Sequence, residues 1–293
     1  MKISRLIACL GLAINGLFSG HCAESLPDIR DIAPDLVTPK MIVSEAAPGK
    51  RVKQTVNTYQ GTEVYHALYL PTDWEAGKKY PVICEYAGNG IYTNKFGDYS
   101  AGTVEGSNLG YGISGGKGFI WICLPYVGYK DGKLSNIPQW WGEVSETKKY
   151  CLQALQEVCA KYGGDTNKVF LAGFSRGAIA CNYLGLHDDE IAKHWCGFIA
   201  HSHYDGVRKW AYADSEREAA LVRLKRLNGR PQFISQEGGG TATTRKHLEE
   251  AGVKGNYTFM DFPYRNHTDE WVLRPIKERE RLRKWVAEVL KGK

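Results

Sequence analysis

A chain of 293 residues, 43% of them hydrophobic, has the apolar content for one large α/β domain or two small ones, and it contains no internal repeat or low-complexity tract. The formal net charge of +6 falls to +4 without Lys2 and Arg5, and no basic cluster interleaved with aromatics accompanies it, which argues against nucleic acid as a partner. No C-x-x-C pair or zinc spacing occurs, and no cofactor is expected.

Lys2, Arg5, an apolar run over residues 6–17 and small residues ending in Ala23 predict a secretory signal over residues 1–23, hence a secreted or periplasmic protein. That run is too short to cross a bilayer and no other stretch approaches it, so no membrane partner is expected after signal removal. Cysteines 84, 123, 151, 159, 181 and 196 remain. Cys151 and Cys159 share a predicted helix about 12 Å apart and cannot bridge. Most read as small core residues, with one bridge through Cys181 left open.

Residues 24–50, rich in Pro, Asp and Ala, read as an extended arm before a domain over 51–293. Alternation over 51–59 and 63–70 predicts an antiparallel hairpin. Residues 82–87 form a nearly continuous apolar run of the kind buried in a parallel sheet, with Glu85 anomalous inside it. Gly88-Asn89-Gly90 follows, and then a long loop rich in Gly, Tyr and Asn to residue 117. Further strands are predicted over 119–124, 169–172, 195–200, 231–235 and 256–262. Helices are predicted over 144–162, from 178, from 214 to about 227, over 243–251, and from Pro275. Strands alternating with helices after a hairpin predict an α/β fold with one doubly wound, mainly parallel sheet and no large lid domain.

Residues 165–183 carry the chemistry. A short strand runs into Gly173-Phe174-Ser175-Arg176-Gly177 and then a helix, the context a nucleophile elbow requires. Side chains at 173 and 177 would collide with neighbouring elements, and the Arg176 amide at the helix start can face an oxyanion. Gly112-Ile113-Ser114-Gly115-Gly116 and the G-x-G-x-x-G at 110–115 precede a strand instead of following one, and both read as loop.

A serine hydroxyl needs an imidazole to take its proton and a carboxylate to orient that imidazole. His267 follows the last predicted strand. Glu237 follows the strand ending at Ser235 and is the favoured acid, with Asp205 its rival. Amides of Gly88 or Asn89 are the candidates for a second oxyanion donor. His201, His203 and Asp205 would point one way on an extended segment. They read as polar residues beside the elbow, with a metal site as the lesser alternative. Trp140, Trp141, Tyr92, Tyr126 and Tyr129 lie in loops expected to ring a pocket mouth, where aromatics stack on sugars or aromatic acyl groups.

With Ser175, His267 and this strand order, the chain resembles the α/β-hydrolase superfamily. Within it, Tyr65 to Pro71, Lys79-Tyr80-Pro81-Val82 and residues 165–177 resemble secreted esterases of the feruloyl and acetyl-xylan type and polyhydroxyalkanoate-depolymerase-like proteins. The sequence departs from them at Ala87-Gly88-Asn89-Gly90, where His-Gly is usual, and at Arg176. The resemblance implies a secreted serine esterase acting on small or polysaccharide esters. A prolyl-oligopeptidase-like peptidase and a carbohydrate-binding pseudo-hydrolase are the alternatives.

Overall fold

Runs that are apolar on both sides of a strand demand cover on both faces, and that requirement organises the molecule. A computed structural model describes residues 26–292, so the predicted signal and the first two residues of the arm lie outside the described residues. Among the described residues nine strands share one sheet: β1 (Met41–Ile42), β2 (Arg51–Gln54), β3 (His66–Tyr69), β4 (Tyr80–Tyr86), β5 (Ile120–Leu124), β6 (Gly164–Phe174), β7 (Gly197–His201), β8 (Pro231–Glu237) and β9 (Asn256–Phe262). Their spatial order is β1-β2-β3-β5-β4-β6-β7-β8-β9. β2 with β3, and β3 with β5, are antiparallel, and the other pairs are parallel. The predicted hairpin and the doubly wound sheet are therefore both present.

Among the described residues, six helices of six residues or more flank the sheet: α1 (Leu109–Ser114), α2 (Val144–Tyr162), α3 (Arg176–Tyr183), α4 (Arg217–Leu224), α5 (Thr241–Ala251) and α6 (Lys277–Leu290). Alternate residues of β4 feed opposite cores. Val82, Cys84 and Tyr86 pack with Tyr150, Cys151 and Ala178 under α2 and α3, whereas Ile83 packs with Leu109, Ile113, Leu282 and Trp285 under α1 and α6. Gly163, in left-handed conformation at φ 79°, stops α2 at the predicted residue. All six described cysteines are free, five of them buried. No described helix is long and apolar enough to cross a membrane.

The stretch 109–114 corrects the sequence reading: it is helix α1, not loop. Its glycines serve close packing. A Cβ at Gly110 would lie 2.2 Å from the Trp121 ring, and one at Gly112 would lie 2.2 Å from Val272. Glu85 starts the helix. Its carboxylate accepts from the amides of Asn108, Leu109 and Gly110 at 2.8–3.1 Å and from Trp121 Nε1 at 2.8 Å. The anomalous acid inside β4 is thus a buried cap, placed where a helix leaves N–H groups unpaired.

Asp269 shares this cap, accepting from the Asn108 amide at 3.1 Å and from Asn108 Nδ2 at 3.0 Å. Burial, and then the nearby Glu85 charge, push the Asp269 carboxyl up to about 8. A carboxyl raised on folding contributes stability below its unfolded-state value and loses it as pH rises through the raised one. Unfolding free energy is therefore expected to fall as pH rises from 7 to 8.5, a window in which the buried cysteines, whose thiols are also held above their ordinary range, add to the same slope. Asp269→Asn should flatten that slope, as read by denaturant titration at the two pH values.

Candidate active site

Strand β6 ends at Phe174 and α3 begins at Arg176, so the whole turn falls on Ser175, at φ 54° and ψ −113°. A β-carbon residue in this region is strained and persists only where its surroundings enforce it. Here the surroundings do. A Cβ on Gly173 would lie 2.1 Å from the Gly177 backbone, and one on Gly177 would lie 1.9 Å from the Tyr86 carbonyl oxygen. The Ser175 amide donates to the His201 carbonyl at 2.9 Å, which fixes the turn against β7.

Three side chains then meet across the ends of β6, β8 and β9. Ser175 Oγ lies 2.9 Å from His267 Nε2, and His267 Nδ1 lies 3.0 Å from Glu237 Oε1. Ser202, at φ 84°, donates its hydroxyl to the same Glu237 oxygen at 2.5 Å. Burial works to raise the Glu237 carboxyl, but the facing His267 ring and its hydrogen bond, with His201 and Ser202, outweigh it and hold the group down at about 2. A carboxylate ionised at neutral pH fixes the Nδ1–H tautomer, leaving Nε2 free to accept the serine proton. Asp98 places the histidine by accepting from the His267 amide at 2.8 Å and from Asn266 Nδ2 at 2.9 Å. The N-terminal arm buttresses the same loop, with Ile29 donating to Asn266 and Arg265 to the Pro27 carbonyl.

Beside Ser175 opens a cavity of about 380 Å³, walled by Asn89, Tyr92, Trp140, His203, Arg208 and Trp210 among others. Among the described residues no Asp or Glu lines that wall. Burial brings the His203 ring down to about 4, so it stands neutral beside His267 at 5.3 Å between ring centres.

Other expected residues lie elsewhere. Asp205 is buried and bound through both oxygens to Arg223, at 2.9 and 3.1 Å, so it is committed to that ion pair and does not bond His267. Trp141 is 3% exposed and stacks on Tyr183 at 4.6 Å, so it belongs to the core and not to the cavity wall. Tyr126 is likewise buried, and Tyr129 stands exposed on a separate hairpin. Gly88 is absent from the cavity wall; its carbonyl accepts from Arg176 Nη2 at 2.8 Å. His201, His203 and Asp205 do not act as one set. The positive φ of Ser202 breaks the extended register, and His201 turns to Ser235 and the Thr268 carbonyl, at 2.9 and 3.2 Å. No group of three metal-ligating side chains gathers among the described residues.

The sequence reading missed Ser202, Asp98, Arg208 and Trp210. Trp210 is an aromatic in a loop after a strand, the signal that picked out Trp140, whereas Asp98 and Ser202 carry none.

Neither a family model nor a curated protein matches the sequence. Solved structures do match. A thermostable esterase aligns at TM-score 0.51 and 14% identity, over 81% of this chain and 62% of its own. A fungal esterase from Rhizomucor miehei aligns at 0.50 and 11%, over 84% and 85%. An acylaminoacyl peptidase from Pyrococcus horikoshii aligns at 0.51 and 13%, over 83% and 41%. The chain has the α/β-hydrolase fold. In α/β-hydrolase terms, Ser175 occupies the strand-to-helix elbow, Glu237 the end of the strand that precedes the last, and His267 the loop after the last strand. The chain spans less than two thirds of the thermostable esterase and of the peptidase, and identity this low speaks to fold alone.

Proposed function

We propose that the protein is a secreted serine hydrolase of carboxylic esters, acting on acyl groups carried by polysaccharide. The supporting observation is the hydrogen-bonded chain Ser175–His267–Glu237, hung on a strained turn and opening into a cavity. His267 Nε2 takes the Ser175 proton as Oγ attacks the ester carbonyl. The amides of Arg176 and Asn89 donate to the developing oxyanion, the first being an N–H that α3 leaves without a helical partner. The alcohol departs with the proton from His267, and water releases the acid by the same route. Trp140 and Tyr92 supply apolar faces for a sugar ring or an aromatic acyl group, and the sequence resembles feruloyl and acetyl-xylan esterases.

A peptidase reading has support in the peptidase among the similar structures. The cavity disfavours one form of it. A free amino terminus binds where carboxylates face it, and no carboxylate lines this wall. A fluorophosphonate probe is expected to modify Ser175, located by mass spectrometry of the labelled peptide, and 4-nitrophenyl acetate to turn over faster than a prolyl anilide. Absence of labelling would instead favour a carbohydrate-binding pseudo-hydrolase.

A further inference from the structure

The cavity wall contains two arginines in opposite situations. Arg176 spends its guanidinium on the carbonyls of Trp140, Gly88 and Gly102 at 2.7–3.2 Å. Arg208 makes no hydrogen bond or ion pair among the described residues. Its guanidinium lies over the Trp210 ring at 4.4 Å. A guanidinium held over an indole with no hydrogen-bond partner leaves its N–H groups free, and these fork the two oxygens of a carboxylate or sulfate. Trp210 and Trp140 stand 5.5 Å apart between ring centres, and His203 packs on Trp210 at 5.4 Å, so the cation is seated on the apolar wall that would hold a sugar. No acid lines the wall among the described residues, and the ionised Glu237 behind it is turned to His267 and Ser202, so the Arg208 charge has no paired carboxylate within the cavity.

We propose that Arg208 binds an anionic group on the substrate, so that the preferred ester sits on a saccharide bearing a carboxylate or a sulfate. The proposal rests on the hydrolase reading above and narrows its substrate class. An exposed arginine shielding a tryptophan would show the same stacking but no charge preference, and kinetics separate the two.

The experiment compares kcat/KM for O-acetylated disaccharides of one size that are neutral, uronate-bearing or sulfated, with 4-nitrophenyl acetate assayed in the same preparations. In the wild type the ratio of anionic to neutral substrate is expected to be about 10- to 100-fold, the range for a hydrogen-bonded charged pair. The larger of the two anionic ratios identifies the group. Arg208→Gln should bring that ratio close to one, Arg208→Lys should restore part of it, and 0.5 M salt should shrink it in the wild type. Because each ratio is internal to one protein preparation, loss of folded material does not alter it. A wild-type ratio near one, or an unchanged ratio in Arg208→Gln, overturns the assignment. If 4-nitrophenyl acetate is not turned over, the hydrolase reading fails instead. Calorimetric titration of the uronate disaccharide into wild type and Arg208→Gln then decides the anion site alone, equal affinity overturning it.

Discussion

Replacing Ser175 by alanine is expected to lower kcat on 4-nitrophenyl acetate by ~10⁴-fold or more while leaving the fold intact, because the nucleophile is removed and the turn is retained. Glu237→Gln should cost ~10³–10⁴-fold, since an amide in that place no longer holds the Nδ1–H tautomer. The double variant is expected to be no slower than Ser175→Ala, because residues acting as one unit are not additive. Steady-state kinetics with active-site titration checks all three. If Glu237→Gln retained a tenth of wild-type turnover, the 3.0 Å contact to His267 Nδ1 would be structural only.

Arg176→Met is the second large effect, and it acts on fold and site together. The guanidinium is buried, joins the carbonyls of three separate segments at residues 88, 102 and 140, and stacks on Tyr126 at 3.7 Å. Burial lowers its pKa to about 10, so it remains charged at neutral pH. Without it those carbonyls lose their donor, at about 1–3 kcal/mol for each that stays unsatisfied and buried. A total destabilisation on the order of 3–5 kcal/mol is expected, read as a fall in Tm by calorimetry. Asn89, next to Gly88, and Trp140 also wall the cavity beside Ser175, and Asn89 Oδ1 accepts from the Trp140 amide at 2.8 Å. KM should therefore rise even at temperatures where the variant is folded. Lysine cannot serve three diverging carbonyls from one plane, so Arg176→Lys should recover only part of the loss.

The arginine after Ser175 departs from the pattern of the esterases the sequence resembles, and the structure supplies its reason. Chain connectivity makes residue 176 adjacent to Ser175, but only folding brings Gly88, Gly102 and the Trp140 carbonyl around its guanidinium. The same distinction separates the two tryptophans. Adjacent residues in one loop look equivalent as letters. Yet Trp140 adopts a left-handed φ of 50° and lines the cavity, whereas Trp141 packs between Tyr126 and Tyr183.

Local information sufficed for much of this molecule. Apolar runs marked the strands, helical spacing gave α2 its limits, and glycines at 173 and 177 announced the tight turn that carries Ser175. These features depend on periodicity and on backbone sterics within a few residues, which the order of amino acids states directly. Partners distant in the chain were decided by the fold. Glu85 caps a helix more than twenty residues away, and Asp98 holds the His267 loop. Asp205 is committed to Arg223, while Glu237 faces His267. A charged side chain takes whichever complementary group the packed sheet brings within 3 Å, and no spacing rule along the chain encodes that distance.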